Sequence, residues 1–247
     1  MSKITLLYII NILFISCAGN ILKNNHIEVK KGNFPIIINV SHDGNKHLHP
    51  KHIRKDSTSN FNNKNDVNTK LIAGLLFDEI KSQFKKEPSM LINNIHRKYI
   101  DLNRTPKHAY ESFGTKRIYN KYYLSLKREI KRLLKNNDRI YLLDIHGFRN
   151  DSIDIVFSTR NNTTINNKDE ELLVKFSEIL KYNGYETKLD ELFYGGYLIK
   201  NTSNEFSVDK ISSIQIELES NIRRNREKRR EVSKIITNEL KKYLDNN

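Results

Sequence analysis

Two short segments of this chain carry a histidine with an aspartate and a glycine within two residues of it: Ser41-His42-Asp43-Gly44 and Asp144-Ile145-His146-Gly147. Imidazole nitrogens and carboxylate oxygens are donors that hold zinc in hydrolytic sites, where three protein ligands leave one position open. His42 and His146 are therefore candidate metal ligands, with Asp43, Asp66 and Asp144 as acidic candidates nearby in sequence. Asp144 lies two residues before His146, so it projects to the same face of an extended segment and could orient the imidazole. A lone histidine at a strand end is more often a hydrogen-bonded structural residue; here the repeated local pattern is what raises the pair to candidates. His47, His49 and His52 sit in a polar stretch and read as solvated loop residues.

Both segments follow apolar runs, and those runs predict the scaffold. Residues 34–40 form a continuous β-branched stretch of the kind buried on both faces of a sheet. Further strands are expected at 90–95, 139–143, 152–157, 185–189 and 214–218. Helices are expected between them. Ile72, Leu76, Ile80 and Phe84 recur every fourth residue; Tyr119, Tyr122, Tyr123, Leu126, Ile130, Leu133 and Leu134 share one face; residues 170–182 end at Asn183-Gly184, a left-handed stop. A last helix carries Val232, Ile235, Ile236, Leu240, Tyr243 and Leu244. Strands alternating with helices of this length predict a three-layer α/β/α fold with a mostly parallel mixed sheet. In such sheets ligands bind beyond the carboxyl ends of the strands. The glycine after each histidine is expected to turn the backbone out of the sheet at that edge. Residues 45–65, rich in Asn, Lys and His and without periodicity, read as a long functional loop.

The chain has 247 residues and a formal charge of +14, from 43 Lys+Arg against 29 Asp+Glu. The basic residues are spread along the sequence. The densest run, residues 223–230, has no interleaved aromatics for base stacking and leads into the last helical pattern, so it reads as a charged helix start and no nucleic-acid partner is expected. At the other end, Lys3 precedes an apolar stretch over 4–15 and the small-residue exit Ser16-Cys17-Ala18. Residues 1–20 thus read as a secretory signal peptide, too short for a membrane span. Residues 21–247 read as a single catalytic domain exported to a periplasmic, extracellular or lipoprotein-anchored location. Cys17 is the only cysteine and the one residue a lipid anchor could use. Cleavage after it leaves no thiol for disulfides or metal binding.

The order of motifs resembles the N-formylglutamate amidohydrolase family, itself similar to the zinc carboxypeptidases and related deacylases. The resemblance runs through Ser41-His42-Asp43-Gly44, Asp66-Val67-Asn68-Thr69, the stretch from His96-Arg97 to Asp101-Leu102-Asn103-Arg104, Asp144-Ile145-His146-Gly147, Tyr194-Gly195-Gly196-Tyr197 and Gln215-Ile216-Glu217. It implies a zinc carboxypeptidase-like fold (phosphorylase/hydrolase-like) and a Zn2+ ion held by His42, His146 and a carboxylate. Asp66 is expected as that carboxylate, with Asp43 the runner-up because the family usually has Ser at that place. The resemblance also implies Glu217 as general base, Arg97 at the scissile carbonyl or a second carboxylate, and Asn103 and Arg104 as a substrate-carboxylate clamp. Arg suits that task because its planar fork makes bidentate bonds to a carboxylate. Gly195 and Gly196 would let the backbone approach substrate, and Tyr197 would line the pocket. Asp101 is expected to fix loop geometry.

The function expected on these grounds is an exported zinc amidohydrolase acting on an N-acyl amino acid or small peptide that bears a carboxylate. The alternatives are a carboxypeptidase-like metallopeptidase acting on peptides, including cell-wall peptides, and a catalytically inactive basic binding protein on the same scaffold.

Overall fold

Seven strands carry the sheet: β1 (Ile27–Lys30), β2 (Ile36–Val40), β3 (Ser89–Asn93), β4 (Ile140–Phe148), β5 (Ile155–Ser158), β6 (Thr187–Leu189) and β7 (Ile211–Glu219). They belong to a computed structural model that describes residues 26–55 and 61–246. The signal-peptide segment and Cys17 lie outside the described residues. The strand order is β1-β3-β2-β4-β7-β5-β6. The central pairings β3-β2, β2-β4 and β4-β7 are parallel, while β1 on β3 and β5 on β7 run antiparallel. The sheet is thus mixed and mostly parallel.

Helices cover both faces. They are α1 (Thr69–Phe84), α2 (Pro106–Ala109), α3 (Phe113–Leu133), α4 (Glu170–Tyr182), α5 (Tyr197–Phe206), α6 (Ser220–Arg224) and α7 (Arg226–Asp245). Two apolar clusters, one per face, lock the layers. Ile36, Ile38, Val40, Leu143, Ile145, Ile214 and Ile216 face Ile72, Leu76 and Ile80 of α1, Phe176 of α4 and Ile236 of α7. Ile37, Ile140, Leu142 and Ile211 face Tyr119, Tyr122, Leu126 and Ile130 of α3. Complete burial of each such side chain is worth about 1.5–3 kcal/mol.

Strand alternation does something more specific on the α3 face. Asn39, Asp144, His146, Gln215 and Glu217 share the parity of Ile37, Ile140, Leu142 and Ile211, but lie further toward the carboxyl ends. The register pairs Asn39 with Asp144, Asp144 with Gln215, and His146 with Glu217. One face of the sheet is therefore apolar at its start and polar at its end, and the polar end holds every strand-borne candidate.

Two expectations need correction. His146 does not end a strand: β4 continues to Phe148, and Gly147 pairs with Leu218 inside it. Nor does Gly147 turn the chain out of the sheet, and both glycines admit a close neighbour. A Cβ on Gly147 would lie 2.3 Å from Nε of Arg223, and one on Gly44 would lie 2.3 Å from the Asn94 carbonyl carbon. Each is a close approach. The space at Gly147 admits the Arg223 guanidinium, which donates to the carbonyls of Leu218 and Phe148 at 2.8 Å each and of Val67 at 2.5 Å.

Candidate metal centre

His42 lies just past the end of β2, and Asp66 just before α1. The two segments are joined by the Asp66 amide donating to the His42 carbonyl at 2.9 Å. His146 comes from within β4. Nδ1 of His42 and Nδ1 of His146 approach the same oxygen, Oδ2 of Asp66, at 3.2 and 3.0 Å. The two rings meet edge to face with centroids 4.8 Å apart. All three residues are buried, and their potential ligand atoms lie within 4.8 Å of one another.

Each imidazole is held from behind by its own carboxylate. Nε2 of His42 lies 2.8 Å from Oδ1 of Asp101, and Nε2 of His146 lies 3.0 Å from Oδ2 of Asp144. A carboxylate at Nε2 fixes the tautomer that leaves Nδ1 as a lone-pair donor. Two Nδ1 lone pairs then point at an anionic Asp66 oxygen, an arrangement that needs a proton or a cation between the partners. Without a metal the proton answers. Burial would lower the pKa of His146, but the Asp144 charge and the hydrogen bonds to Asp144 and Asp66 hold it well above the ordinary histidine range. Burial would raise Asp66, but hydrogen bonds from His146 and His42 and the charges of His42 and Arg97 hold it far below the carboxylate range. The donor set of two imidazoles and one carboxylate fits a tetrahedral divalent ion with one position left over.

Asp43 does not enter this cluster. Its carboxylate accepts from the backbone amides of Asn68 at 3.2 Å and Lys70 at 2.8 Å, capping the start of α1. Asn68, in the left-handed conformation, makes no side-chain cap of its own. The sequence departure at Asp43 thus serves the helix that follows Asp66.

The cluster opens on a cleft of about 660 Å³ whose lining includes Asp66, Arg97, Asn103, Arg104, His146 and Glu217. Glu217 is only 6% exposed. Burial pushes its pKa up; His146 and Arg97 pull it down, Asp66 and Asp144 add to the rise, and the balance stands at about 7. A carboxyl poised there can both accept and return a proton at neutral pH. Its Oε1 accepts from Nε2 of Gln215 at 2.8 Å.

The arginine candidates differ in what already engages them. Arg97 donates from Nε to Asp101 at 3.0 Å and from Nη1 to Asp66 at 3.3 Å, so it braces the metal cluster as well as lining the cleft. Arg104 lies 3.8 Å from Asp101 and is about one-third exposed. Asn103 lines the cleft, and its amide is tied at both atoms: Nδ2 donates to Gln215 at 3.1 Å and Oδ1 accepts from the Leu198 amide at 3.1 Å. Gly196 packs directly on it, since a Cβ there would sit 1.9 Å from Asn103 Oδ1. Gly195 and Gly196 line the cleft. Tyr197 does not; its hydroxyl donates to Asn201 at 3.1 Å and its ring lies 6.1 Å from that of Tyr123. His47, His49 and His52 stay outside the cluster; His47 stands against His96, and His52 against Ser112.

What matches is the N-formylglutamate amidohydrolase family, over residues 112–222. The matched stretch contains Asp144, His146, Gly195, Gly196, Gln215 and Glu217; His42, Asp66 and the Arg97 to Arg104 segment precede it. The fold is similar to the crystal structure of N-formylglutamate amidohydrolase from Ralstonia eutropha JMP134, with a TM-score of 0.66 and 13% identity over 89% of this chain and 97% of that one. A gene product of Agrobacterium tumefaciens is similar at TM-score 0.59 and 11% identity, over 90% of this chain and 95% of that one. A bacteriophage poly-gamma-glutamate hydrolase is similar at TM-score 0.50 and 14% identity, over 94% and 97% of the two chains. At such identities the likeness is one of fold. No curated protein matches the sequence.

Three contacts in the site go beyond what the sequence motifs assign. Asp101 was expected only to shape a loop, yet it is the carboxylate behind His42. Gln215 ties Glu217 to Asn103 and to the Gly196 amide, which it accepts at 2.8 Å. Asn39 links Tyr122 of α3 to Asp144. For Gln215 a signal existed: it lies two residues before Glu217 and so on the same face of β7.

Proposed function

We propose that this chain is an exported, zinc-dependent amidohydrolase that cleaves the amide bond of an N-acyl amino acid or small peptide bearing a carboxylate. The observation that carries the proposal is the convergence of two Nδ1 atoms on one Asp66 oxygen, at 3.2 and 3.0 Å, with a carboxylate behind each ring. His42, Asp66 and His146 would hold the ion. What a divalent cation supplies in such a place is polarisation of an amide carbonyl and an acidified water. Glu217 takes the proton from the attacking water and delivers it to the leaving nitrogen; its raised pKa suits both halves of the task. Gln215 keeps Glu217 turned toward the cleft. Arg104 and Asn103 receive the substrate carboxylate, Arg104 by charge and Asn103 by the loop position it fixes at Gly196. Arg97 adds positive charge at the carbonyl oxygen. Gly195 and Gly196 let the backbone lie against the substrate. The amidohydrolase match over 112–222 supports the amide bond as the target, and the apolar stretch over 4–15 supports export.

The test is hydrolysis of N-acyl-glutamates and of dipeptides with a free C-terminus, with and without chelator. Chelation is expected to abolish activity and added zinc to restore it. Faster turnover of dipeptides would move the reading to a carboxypeptidase. Glu217→Gln is expected to lower kcat by roughly 10²- to 10⁴-fold. Undiminished hydrolysis in that variant would remove Glu217 from the mechanism, and absence of hydrolysis in the zinc-loaded protein would favour a binding protein.

A further inference from the structure

Residues 190–196 form a strap that is tied down along its length, and 192–196 line the cleft. The Asp190 carboxylate accepts from the Thr159 amide at 2.8 Å and the Thr159 hydroxyl at 2.6 Å. Ser158 Oγ donates to the Phe193 carbonyl at 2.6 Å, Arg160 donates to the Gly195 carbonyl at 2.9 Å, and the Gly196 amide donates to Gln215 at 2.8 Å. Between these ties two large side chains stand in solvent: Leu192 is 52% exposed and Tyr194 60%. Both line the cleft, and no other exposed large hydrophobic among the described residues does so. Leu192 also holds a left-handed backbone, φ 64°, a region that disfavours a residue with a Cβ. The fold therefore keeps an apolar side chain in an unfavourable conformation where it adds nothing to either core cluster.

The strap meets the cleft wall at two places. Gly196 rests on Asn103, beside Arg104. Phe193 stacks edge to face on Phe148, with centroids 5.3 Å apart, beside Arg149. With the substrate carboxylate at Asn103-Arg104, as the proposed function has it, Leu192 and Tyr194 are exposed apolar surface in the same cleft for the acyl group to meet. The cleft of about 660 Å³ has the size of pockets that enclose drug-sized ligands, far more than a one-carbon acyl group fills.

We infer that Leu192 and Tyr194 wall an acyl-group subsite, and that the amide cleaved carries a bulky apolar or aromatic acyl group rather than formyl. The inference rests on the amidohydrolase reading of the site. The experiment compares L-glutamate acylated with formyl, acetyl and benzoyl groups on the zinc-loaded full chain and on the Leu192→Ser/Tyr194→Ser double variant. The wild type is expected to favour benzoyl over formyl in kcat/KM by roughly tenfold or more, and the double variant to lose most of that ratio. Because both side chains are exposed, the variant is expected to fold, which its zinc content reports. Formyl as the best substrate, or a ratio unchanged in the variant, would overturn the subsite. If the wild type hydrolyses none of the three, the amidohydrolase reading fails, and calorimetry on Glu217→Gln still judges the subsite by itself. N-benzoyl-L-glutamate should bind at least tenfold tighter than N-formyl-L-glutamate, and equal affinities would refute it.

Discussion

The two imidazoles of the metal cluster make the same contact with Asp66 but are supported in different ways. Behind His146, Asp144 sits within β4 and receives uncharged donors, Asn39 Nδ2 at 2.7 Å and Ser41 Oγ at 3.5 Å. Behind His42, Asp101 sits in a loop and faces Arg97 at 3.0 Å, Arg54 at 3.5 Å and Arg104 at 3.8 Å. Asp144 therefore directs nearly all its charge at one ring, whereas Asp101 shares its charge with three guanidinium groups. Burial would raise the Asp101 pKa, but His42, Arg97 and Arg54 hold it well below the carboxylate range. The strand-borne clamp tunes a ligand; the loop-borne clamp also holds the site's walls together. Arg54 carries this outward, since it also donates to the carbonyls of Asn62, Arg97 and His108 and so anchors the polar loop.

The contrast predicts an order of effects. Asp101→Ala leaves buried arginines without their shared anion, and breaking a buried pair in this way costs about 3–5 kcal/mol. Denaturant unfolding of the metal-free protein should show a loss of that size. Asp144→Asn removes charge from behind one imidazole, which keeps Asp66 as an anionic partner, whereas the Asp101 carboxylate serves His42 and three guanidinium groups at once. Chelator competition should find zinc affinity lowered roughly 10- to 100-fold, with a smaller change in unfolding than at Asp101. A larger stability loss at Asp144 than at Asp101 would break the comparison.

Gln215 sharpens it from the side of the base. Its carboxamide oxygen accepts from the Gly196 amide and Asn103, while its nitrogen donates to Glu217. Gln215→Glu keeps the acceptor and loses the donor, so kcat should fall by about tenfold or more with KM little changed. Gln215→Met loses both and should raise KM as well. Equal effects of the two variants on both constants would mean that Gln215 acts only through packing. The smallest effect belongs to Asp43. Asp43→Ala removes a helix cap, worth about 1 kcal/mol in unfolding, and should leave zinc affinity as it was. A loss of zinc there would return Asp43 to the ligand set.

Much of the scaffold could be read from periodicity, and the reasons for the misses are local. The helix over 69–84 and the helix over 170–182 appear where the spacing of Ile72, Leu76 and Ile80 and the stop at Asn183-Gly184 place them. Strand β4 was read as ending at Leu143 because Asp144-Ile145-His146-Gly147 looks like a polar exit. In the structure Asp144 and His146 lie on one face, bond to each other, and Asp144 accepts from Asn39 on β2, so pairing continues to Phe148. Helix α5 carries no clear helical signal, since Tyr197 to Phe206 is rich in Asn, Ser and Thr and follows a Gly-Gly pair. β1 was missed because it is a four-residue edge strand with three of its residues exposed. In the site, His42, Asp66, His146 and Glu217 could be named from motifs, but the dual role of Asp101 could not. No spacing rule brings residue 101 behind residue 42; that contact is made by the fold.

The most direct test is elemental analysis of the purified full-length protein after zinc loading and desalting. The convergence of His42, Asp66 and His146 predicts one zinc per chain in the wild type, and near-zero content in His42→Ala, Asp66→Ala and His146→Ala variants that remain folded. A wild-type protein that holds no zinc, or variants that keep a full equivalent, would contradict it.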